Sequence, residues 1–124
     1  MRVQSSGPLL LRIAIIVGFV LPHAAVAQKA QVVVKKGARQ HLDFAGKPCL
    51  STEGAARPLA SNARIMNHVV SFDNHCFDRI KLKVCYADTE DCTDVEVPGY
   101  ARKDQVIGIF PALQLFRYEV KEQF

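Results

Sequence analysis

Histidine and cysteine are the residue types in this chain with the widest chemical range, because they act as bases, nucleophiles and metal ligands. Beyond residue 27 the chain contains His41, His68 and His75 together with four cysteines. Since His75 precedes Cys76 directly, a cysteine nucleophile assisted by His75 or His68 is one conceivable arrangement. Such a nucleophile requires a free thiolate. An even number of cysteines favours disulfides instead, provided that the chain is exported.

Metal ligation is the second chemistry open to these residues. Zinc sites use closely spaced pairs such as C-x-x-C or H-x-x-x-H, and the sequence contains neither. A calcium loop wraps the ion with many oxygens and commonly has glycine at its sharp turn, but the acidic segment here has no glycine. We therefore expect a solvated acidic loop, no metal site and no cofactor. The acidic residues concerned are Asp88, Glu90, Asp91 and Asp94.

Catalytic motifs that combine several residues are missing from the sequence. It contains no G-x-S-x-G elbow, no glycine-rich phosphate loop and no C-x-x-C-H haem motif. We interpret His68 as a partly buried or edge histidine and His41 as an exposed strand residue. We therefore predict that the protein is not an enzyme. The enzymatic alternative is a small hydrolase in which His68 or His75 meets an acid such as Asp73 or Asp78.

The start of the chain has the composition of a secretory signal peptide. Arg2 and Arg12 flank a polar stretch, residues 13–21 form an apolar run, and small residues follow at positions 25 and 27. A transmembrane anchor requires about 20 apolar residues, whereas Pro22 ends this run. No cysteine lies at the cleavage position, which disfavours a lipoprotein. We predict a signal peptide over 1–27 and a mature chain over 28–124 in the periplasm or outside the cell, with no membrane contact after cleavage.

The charge of the mature chain is too small to indicate a nucleic-acid partner. The full chain carries a formal net charge of +4, and residues 1–27 contribute two arginines and no acid, which leaves +2. Nucleic-acid binders show a clustered basic face. The basic residues near the mature N-terminus could attract an anionic envelope polymer, but an ordinary solvated surface is the simpler interpretation. These residues are Lys29, Lys35, Lys36, Arg39 and Lys47.

Residues 79–99 are predicted to form one β-hairpin whose antiparallel partners have numbers that sum to 177. This register puts opposite charges across from each other on an outer face and apolar or β-branched residues on an inner face. A slip of one residue would set apolar side chains against charged ones. The expected outer pairs are Cys85 with Cys92, Lys83 with Asp94 and Lys81 with Glu96. The expected inner pairs are Val84 with Thr93, Leu82 with Val95 and Ile80 with Val97.

The hairpin register also selects the disulfides. Four cysteines allow three pairings, and the bond Cys85–Cys92 leaves Cys49–Cys76 as the second. The connection over residues 87–90 lacks the glycine of a two-residue primed turn, so we expect a four-residue loop built on a type I turn.

The rest of the mature chain is predicted to contain further short strands and no long helix. A loop is expected over residues 52–62, which mix small residues with Gly54 and Pro58, and a polar connection over residues 100–104. With the hairpin this gives about seven strands, or eight if residues 49–51 form a strand rather than an extended segment. The pattern is typical of a small antiparallel sandwich or a partly open barrel, held by two disulfides in one domain. The further strands are expected over residues 32–34, 40–44, 49–51, 66–72, 106–110 and 113–120.

Several short motifs stand in the last three-quarters of the mature chain: Asn74-His75-Cys76, Val84-Cys85-Tyr86, Cys92, Val97-Pro98-Gly99 and Phe116-Arg117-Tyr118. With these motifs, residues 49–124 resemble a group of small exported bacterial proteins of unknown function with a four-cysteine β domain. The resemblance implies export and the two-disulfide domain, with no implication for chemistry.

From these observations we expect a non-enzymatic exported β domain that acts by surface binding to a protein or an envelope polymer. Sheet edges and the loop over 52–62 are the expected contact surfaces. We expect a monomer or weak oligomer. A second hypothesis is an inhibitor of an exported hydrolase, for which a rigid stapled scaffold lowers the ordering cost of binding.

Overall fold

The structure, a computed structural model, describes Gly18 and residues 28–124, so the predicted signal peptide lies outside the described residues apart from Gly18. Residues 28–124 form strands and loops with no helix. In this part of the chain there is consequently no helix able to cross a membrane. The strands are β1 (Gln28–Lys29), β2 (Gln31–Val32), β3 (Leu50–Pro58), β4 (Ile65–Asn74), β5 (Ile80–Tyr86), β6 (Cys92–Val97), β7 (Arg102–Pro111) and β8 (Arg117–Glu122).

The strands form two four-stranded sheets. The first sheet has the order β1-β3-β4-β7 and the second sheet has the order β2-β8-β5-β6. All pairs are antiparallel except β2 with β8. The sheets are not closed into a barrel, so the all-β, sandwich-like architecture predicted from the strand spacing is confirmed, and the two-residue strands β1 and β2 are minor additions at the sheet edges.

The predicted hairpin is confirmed residue by residue. Strands β5 and β6 pair with all six expected partners, from Ile80 with Val97 to Cys85 with Cys92. The inner-face residues Ile80, Leu82 and Val84 are each 1 % exposed, while Lys81 and Lys83 are exposed. One expected contact changes partner, because the Glu96 carboxylate binds Arg79 at 2.8 Å although its backbone is opposite Lys81.

The loop at the tip of the hairpin differs from the expected turn. Thr89 donates its backbone N–H to the Tyr86 carbonyl, which closes a turn over residues 86–89. Asp88, at the third position of this turn, has φ of 58°, whereas a type I turn has negative φ there. The type I prediction is therefore wrong. Aspartate tolerates this left-handed conformation better than most residues, which explains how the turn forms without glycine.

The core lies between the two sheets. Alternate residues of β4, Met66, His68, Val70 and Phe72, share one face of the strand, and all four are buried. They pack toward the second sheet, where the inner face of β5 is joined by Tyr118 of β8, which is 1 % exposed. Burial of this continuous apolar layer supplies the main driving force for folding.

The loop predicted over residues 52–62 is wrong, because β3 occupies most of it and pairs with β4 from Leu50 to Pro58. The small residues that suggested a loop are required by packing. A Cβ added at Gly54 would lie 2.5 Å from Cε1 of the Tyr118 ring and 2.8 Å from Cβ of Ala30. Glycine here allows the tyrosine ring to pack directly on the backbone of β3.

Several strand boundaries also differ from the prediction. Residues 40–44 form no strand and contribute only an isolated bridge between Leu42 and Pro48. Of residues 32–34, only Val32 belongs to a strand. Strand β7 begins at Arg102, inside the expected polar connection, and β8 begins at Arg117 rather than at residue 113. Strands β7 and β8 pair with β4 and β5, which are distant in sequence, so the local composition of β7 and β8 gave a weak signal for their bounds.

Candidate functional site

The four cysteines are all bonded and none offers a thiolate. The structure contains the predicted bonds Cys49–Cys76 and Cys85–Cys92 and no free cysteine. The arrangement of Cys76 as a nucleophile beside His75 is therefore excluded. Two disulfides are compatible with an oxidising location outside the cytoplasm.

His68 is a fully buried core residue rather than the partly buried or edge histidine expected. Its Nε2 donates to the Leu113 carbonyl at 2.9 Å, so its Nδ1 accepts the hydroxyl hydrogen of Tyr86 at 2.9 Å. Its ring stacks on Phe116 with centroids 4.1 Å apart. Burial, followed by the nearby Asp91 charge, raises the pKa of Tyr86 to about 12, which keeps its hydroxyl protonated as the donor. With no exposure, His68 cannot meet a substrate in this structure.

A glycine allows the Tyr86 hydroxyl to reach His68 across the two sheets. Gly108 of β7 pairs with His68 of β4. A side chain at position 108 would collide with the Tyr86 hydroxyl and the Phe110 ring. The histidine, the tyrosine and the glycine therefore form one packing unit that joins the end of the hairpin to the first sheet.

The other two histidines are more accessible, and each has a polar partner. His41 bonds Oε1 of Glu122 through both its backbone N–H, at 3.0 Å, and its Nδ1, at 2.7 Å. It lies in a loop, so the prediction of an exposed strand residue is wrong. His75 is exposed, and its Nε2 lies 3.2 Å from the Ser51 hydroxyl.

The charged residues singled out from the sequence are distributed over the surface. Within residues 28–124 no three acidic, histidine or cysteine side chains are grouped as metal ligands would be. In the basic stretch, Lys29 pairs with Glu53 at 3.6 Å and Lys35 pairs with Glu119 at 3.1 Å. These intramolecular pairs agree with the interpretation of the stretch as an ordinary solvated surface.

Exposed aromatic side chains are gathered in one place. Residues 28–124 contain nine aromatic residues of the Phe and Tyr types, and the four that are exposed all line one groove of about 870 Å³. We call it the aromatic groove. The four rings are Phe44, Phe77, Tyr100 and Phe124. The lining comprises residues 40–44, Cys49, residues 75–78, Ile80, Tyr100 and Phe124.

One wall of the aromatic groove consists of the loops over residues 75–79 and 98–101, which carry Phe77 and Tyr100. The Asn74 side chain, which is 1 % exposed, holds these loops together. Its Nδ2 donates to the carbonyls of Asp78 at 2.8 Å and Pro98 at 3.1 Å, and its Oδ1 accepts the Cys76 N–H at 3.0 Å. The Phe77 and Tyr100 rings meet edge to face with centroids 6.4 Å apart. The wall is thus built on a satisfied buried polar network.

Tyr100 has an unusual backbone conformation for its residue type. Its φ is 52°, in the left-handed region that side chains other than glycine rarely adopt. The Tyr100 N–H donates to the Cys76 carbonyl at 2.9 Å. The surrounding hydrogen bonds therefore hold the Tyr100 backbone in a strained conformation, although the residue is 73 % exposed. Strain of this kind concentrates at functional sites.

The opposite wall consists of residues 40–44 and Phe124. The Cys49 N–H donates to the His41 carbonyl at 2.8 Å, and Asp43 Oδ1 accepts the N–H groups of Ala45 and Lys47. The His41 ring stacks on Phe124 with centroids 4.2 Å apart. The Cys49–Cys76 disulfide joins this wall to the first one, and Ile80 contributes to the lining between them.

The charge of the aromatic groove differs from that of the chain as a whole. Its lining includes Asp43 and Asp78 but no lysine or arginine, whereas residues 28–124 together carry a formal charge of +2. Within residues 28–124 the Asp78 carboxylate has no hydrogen bond or ion pair. The groove therefore combines aromatic faces with acidic groups.

The four rings were missed because each is unremarkable in its local sequence. Tyr100 directly follows the turn residues Pro98-Gly99, and Phe77 comes three positions after the turn residue Asn74. An aromatic residue close after turn residues has no strand face to bury it, and this signal could have suggested exposure.

Comparison with known proteins adds no assignment. No protein-family model matches the chain, and no curated protein or solved structure shows a significant match. The functional argument therefore depends on the groove itself.

Proposed function

We propose that the chain is an exported, non-enzymatic β domain, periplasmic or secreted, that binds a protein or an envelope polymer through the aromatic groove. The observation that carries this proposal is the clustering of all four exposed Phe and Tyr side chains of residues 28–124 along one groove. Exposed apolar patches mark interaction sites, because a soluble protein otherwise gains by burying them.

Energetics support a binding role for these rings. An aromatic side chain buries about 150–250 Å² when covered, and each Å² removed from water contributes roughly 25 cal/mol. Asn74 and the Cys49–Cys76 disulfide fix the walls before any ligand arrives. A preformed groove loses little conformational entropy on binding, so more of this gain appears as affinity.

A retention experiment tests the proposal. The mature protein is immobilised and exposed to a cell-envelope extract, and the retained material is compared with that of the Phe77→Ala/Tyr100→Ala variant. A matched control, Ile109→Ala/Leu115→Ala, removes two apolar side chains that are 58 % and 66 % exposed and lie outside the groove. We expect about tenfold less retention for the groove variant, in the range of interface hot spots, and normal retention for the control. Equal retention by all three proteins would contradict the proposal.

The hydrolase alternative has one observation in its favour. The contact of 3.2 Å between Ser51 Oγ and His75 Nε2 resembles that of a nucleophile and its base. Within residues 28–124, however, no carboxylate bonds Nδ1 of His75 to orient the ring. Hydrolysis of an activated ester by the wild type, lost in both Ser51→Ala and His75→Ala, would establish this alternative over the non-enzymatic proposal. The inhibitor hypothesis stays a prediction, which assays of exported hydrolases with and without the protein would test.

A further inference from the structure

We infer that the aromatic groove takes a basic peptide segment, an extended stretch of a partner protein that presents arginine or lysine side chains. The inference rests on the proposed function and specifies its ligand. Charge complementarity is the first argument, because the lining contains the Asp43 and Asp78 carboxylates and no lysine or arginine, although Arg39, outside the lining, lies over the Phe124 ring. A cationic segment would be attracted to this groove, and an anionic polymer would be repelled.

The carboxylates are available to such a partner. Asp78 makes no ion pair within the described part of the chain, since the adjacent Arg79 binds Glu96 at 2.8 Å. Asp43 uses Oδ1 in its own turn, where it accepts two backbone N–H groups at 2.8 and 2.9 Å. Its Oδ2 has no hydrogen-bond or ion-pair partner among residues 28–124. Arginine binds carboxylates with a planar fork of donors and is therefore the better match.

The aromatic rings favour the same partner. Guanidinium and ammonium groups are attracted to ring faces by the quadrupole of the ring. The chain already shows this contact, because Cζ of its own Arg39 lies 4.2 Å from the centroid of Phe124. Phe44, Phe77 and Tyr100 offer further faces, and their exposure leaves them open to solvent.

The size of the groove favours a peptide over a single small cation. At about 870 Å³ it lies toward the upper end of the roughly 300–1,000 Å³ typical of ligand sites. A neutral glycan could also cover the rings and donate hydroxyl hydrogen bonds to the carboxylates, but it carries no positive charge to pair with them. An extended peptide with spaced basic residues uses the rings and the carboxylates together.

Titration by NMR tests the inference on the mature protein with two blocked peptides, one with arginine at every second position and one with glutamate instead. The third probe is a neutral hexamer of N-acetylglucosamine. We expect that only the arginine peptide changes the chemical shifts of the Phe77 and Tyr100 rings and that these changes reach a plateau as peptide is added. Its affinity should fall as ionic strength rises. Asp78→Asn should weaken binding about fivefold, the scale of one solvent-accessible charge pair. Asp88→Asn is the matched control, because position 88 lies at the hairpin tip and asparagine tolerates its φ of 58°.

The outcomes separate this inference from the proposed function. If only the glycan shifts the groove signals, the peptide inference fails and the groove remains a binding site. If the arginine peptide binds the Phe77→Ala/Tyr100→Ala variant as tightly as the wild type, it binds elsewhere and the inference also fails. If no probe shifts these signals, the inference fails, and retention of envelope material decides the proposed function independently.

Discussion

The β5–β6 hairpin and the walls of the aromatic groove each contain one disulfide, yet they are built on opposite principles. In the hairpin, apolar residues face inward and charged residues face outward, and every pair follows one register. In the groove walls, loops without regular pairing hold aromatic rings outward through the Asn74 side chain and a tyrosine at positive φ. The hairpin buries its apolar side chains, whereas the groove walls keep aromatic side chains exposed to solvent.

This difference indicates where stability and function are placed in the molecule. A surface that keeps aromatic rings in water gains nothing from them in the unbound state, so the walls must be stabilised by bonds that do not depend on burial of those rings. The Cys49–Cys76 disulfide and the Asn74 network supply these bonds. Removing them should affect the groove far more than the hairpin.

The largest expected effect comes from removing the disulfides separately. Cys49→Ser/Cys76→Ser opens a link between residues 27 apart in sequence, and Cys85→Ser/Cys92→Ser opens one between residues 7 apart. Loop entropy predicts losses of about 3.5 and about 2.5 kcal/mol in the free energy of unfolding. Urea unfolding measures both, and NMR should show disturbed Phe77 and Tyr100 signals in the first variant only. Disturbed Phe77 and Tyr100 signals in the second variant would contradict the separation of the hairpin from the groove walls.

Asn74→Ala should have the next largest effect. The change leaves the part-buried Asp78 and Pro98 carbonyls and the Cys76 N–H without their side-chain partner. An unsatisfied buried polar group costs about 1–3 kcal/mol, so we expect a loss of about 2–3 kcal/mol in urea unfolding, together with loss of envelope retention. Asn67→Ala on the same strand is the control, because its side chain makes no hydrogen bond within residues 28–124, and it should change little. An Asn74→Ala protein with wild-type stability and wild-type envelope retention would show that the groove walls do not need this network.

The hairpin could be predicted from sequence and the groove could not, because the two depend on contacts of different range. Residues 80–97 specify their own pairing through charge, branching and cysteine positions seven residues apart. Strand β3 was mistaken for a loop because its glycine is explained by residues distant in sequence, Tyr118 at 64 positions away and Ala30 at 24. The groove draws its rings from four separate segments, and only the folded topology brings Phe44 and Phe124 near Phe77 and Tyr100.

Gly108→Ala tests how the tip end of the hairpin is joined to the first sheet. The added methyl group collides with the Tyr86 hydroxyl, which bonds His68 at 2.9 Å. Overpacking of this kind costs about 1–3 kcal/mol. Tyr86→Phe removes the hydroxyl, so the double variant should be less destabilised than the sum of the two single changes, as a double-mutant cycle in urea would measure. Additive losses would show that the hydroxyl is not the obstacle.

The smallest expected effect on stability comes from the ion pair between Glu119 of β8 and Lys35. Glu119 lies in the same sheet as the hairpin, and Lys35 precedes the groove wall in the chain. Pairing with the Lys35 ammonium, aided by Lys121, lowers the pKa of Glu119 below its ordinary value of 4.5 despite burial. Since the folded state prefers the charged form, this stabilisation is present above about pH 4.5 and disappears as the pH falls through the lowered value. Glu119→Gln should therefore cost below about 1 kcal/mol at neutral pH, because both lysines are half exposed and screened by solvent. Urea unfolding measures the difference in the free energy of unfolding between the variant and the wild type, and this difference should shrink as the pH falls. A difference that stays constant down to pH 3 would show that the Glu119 charge is not its source.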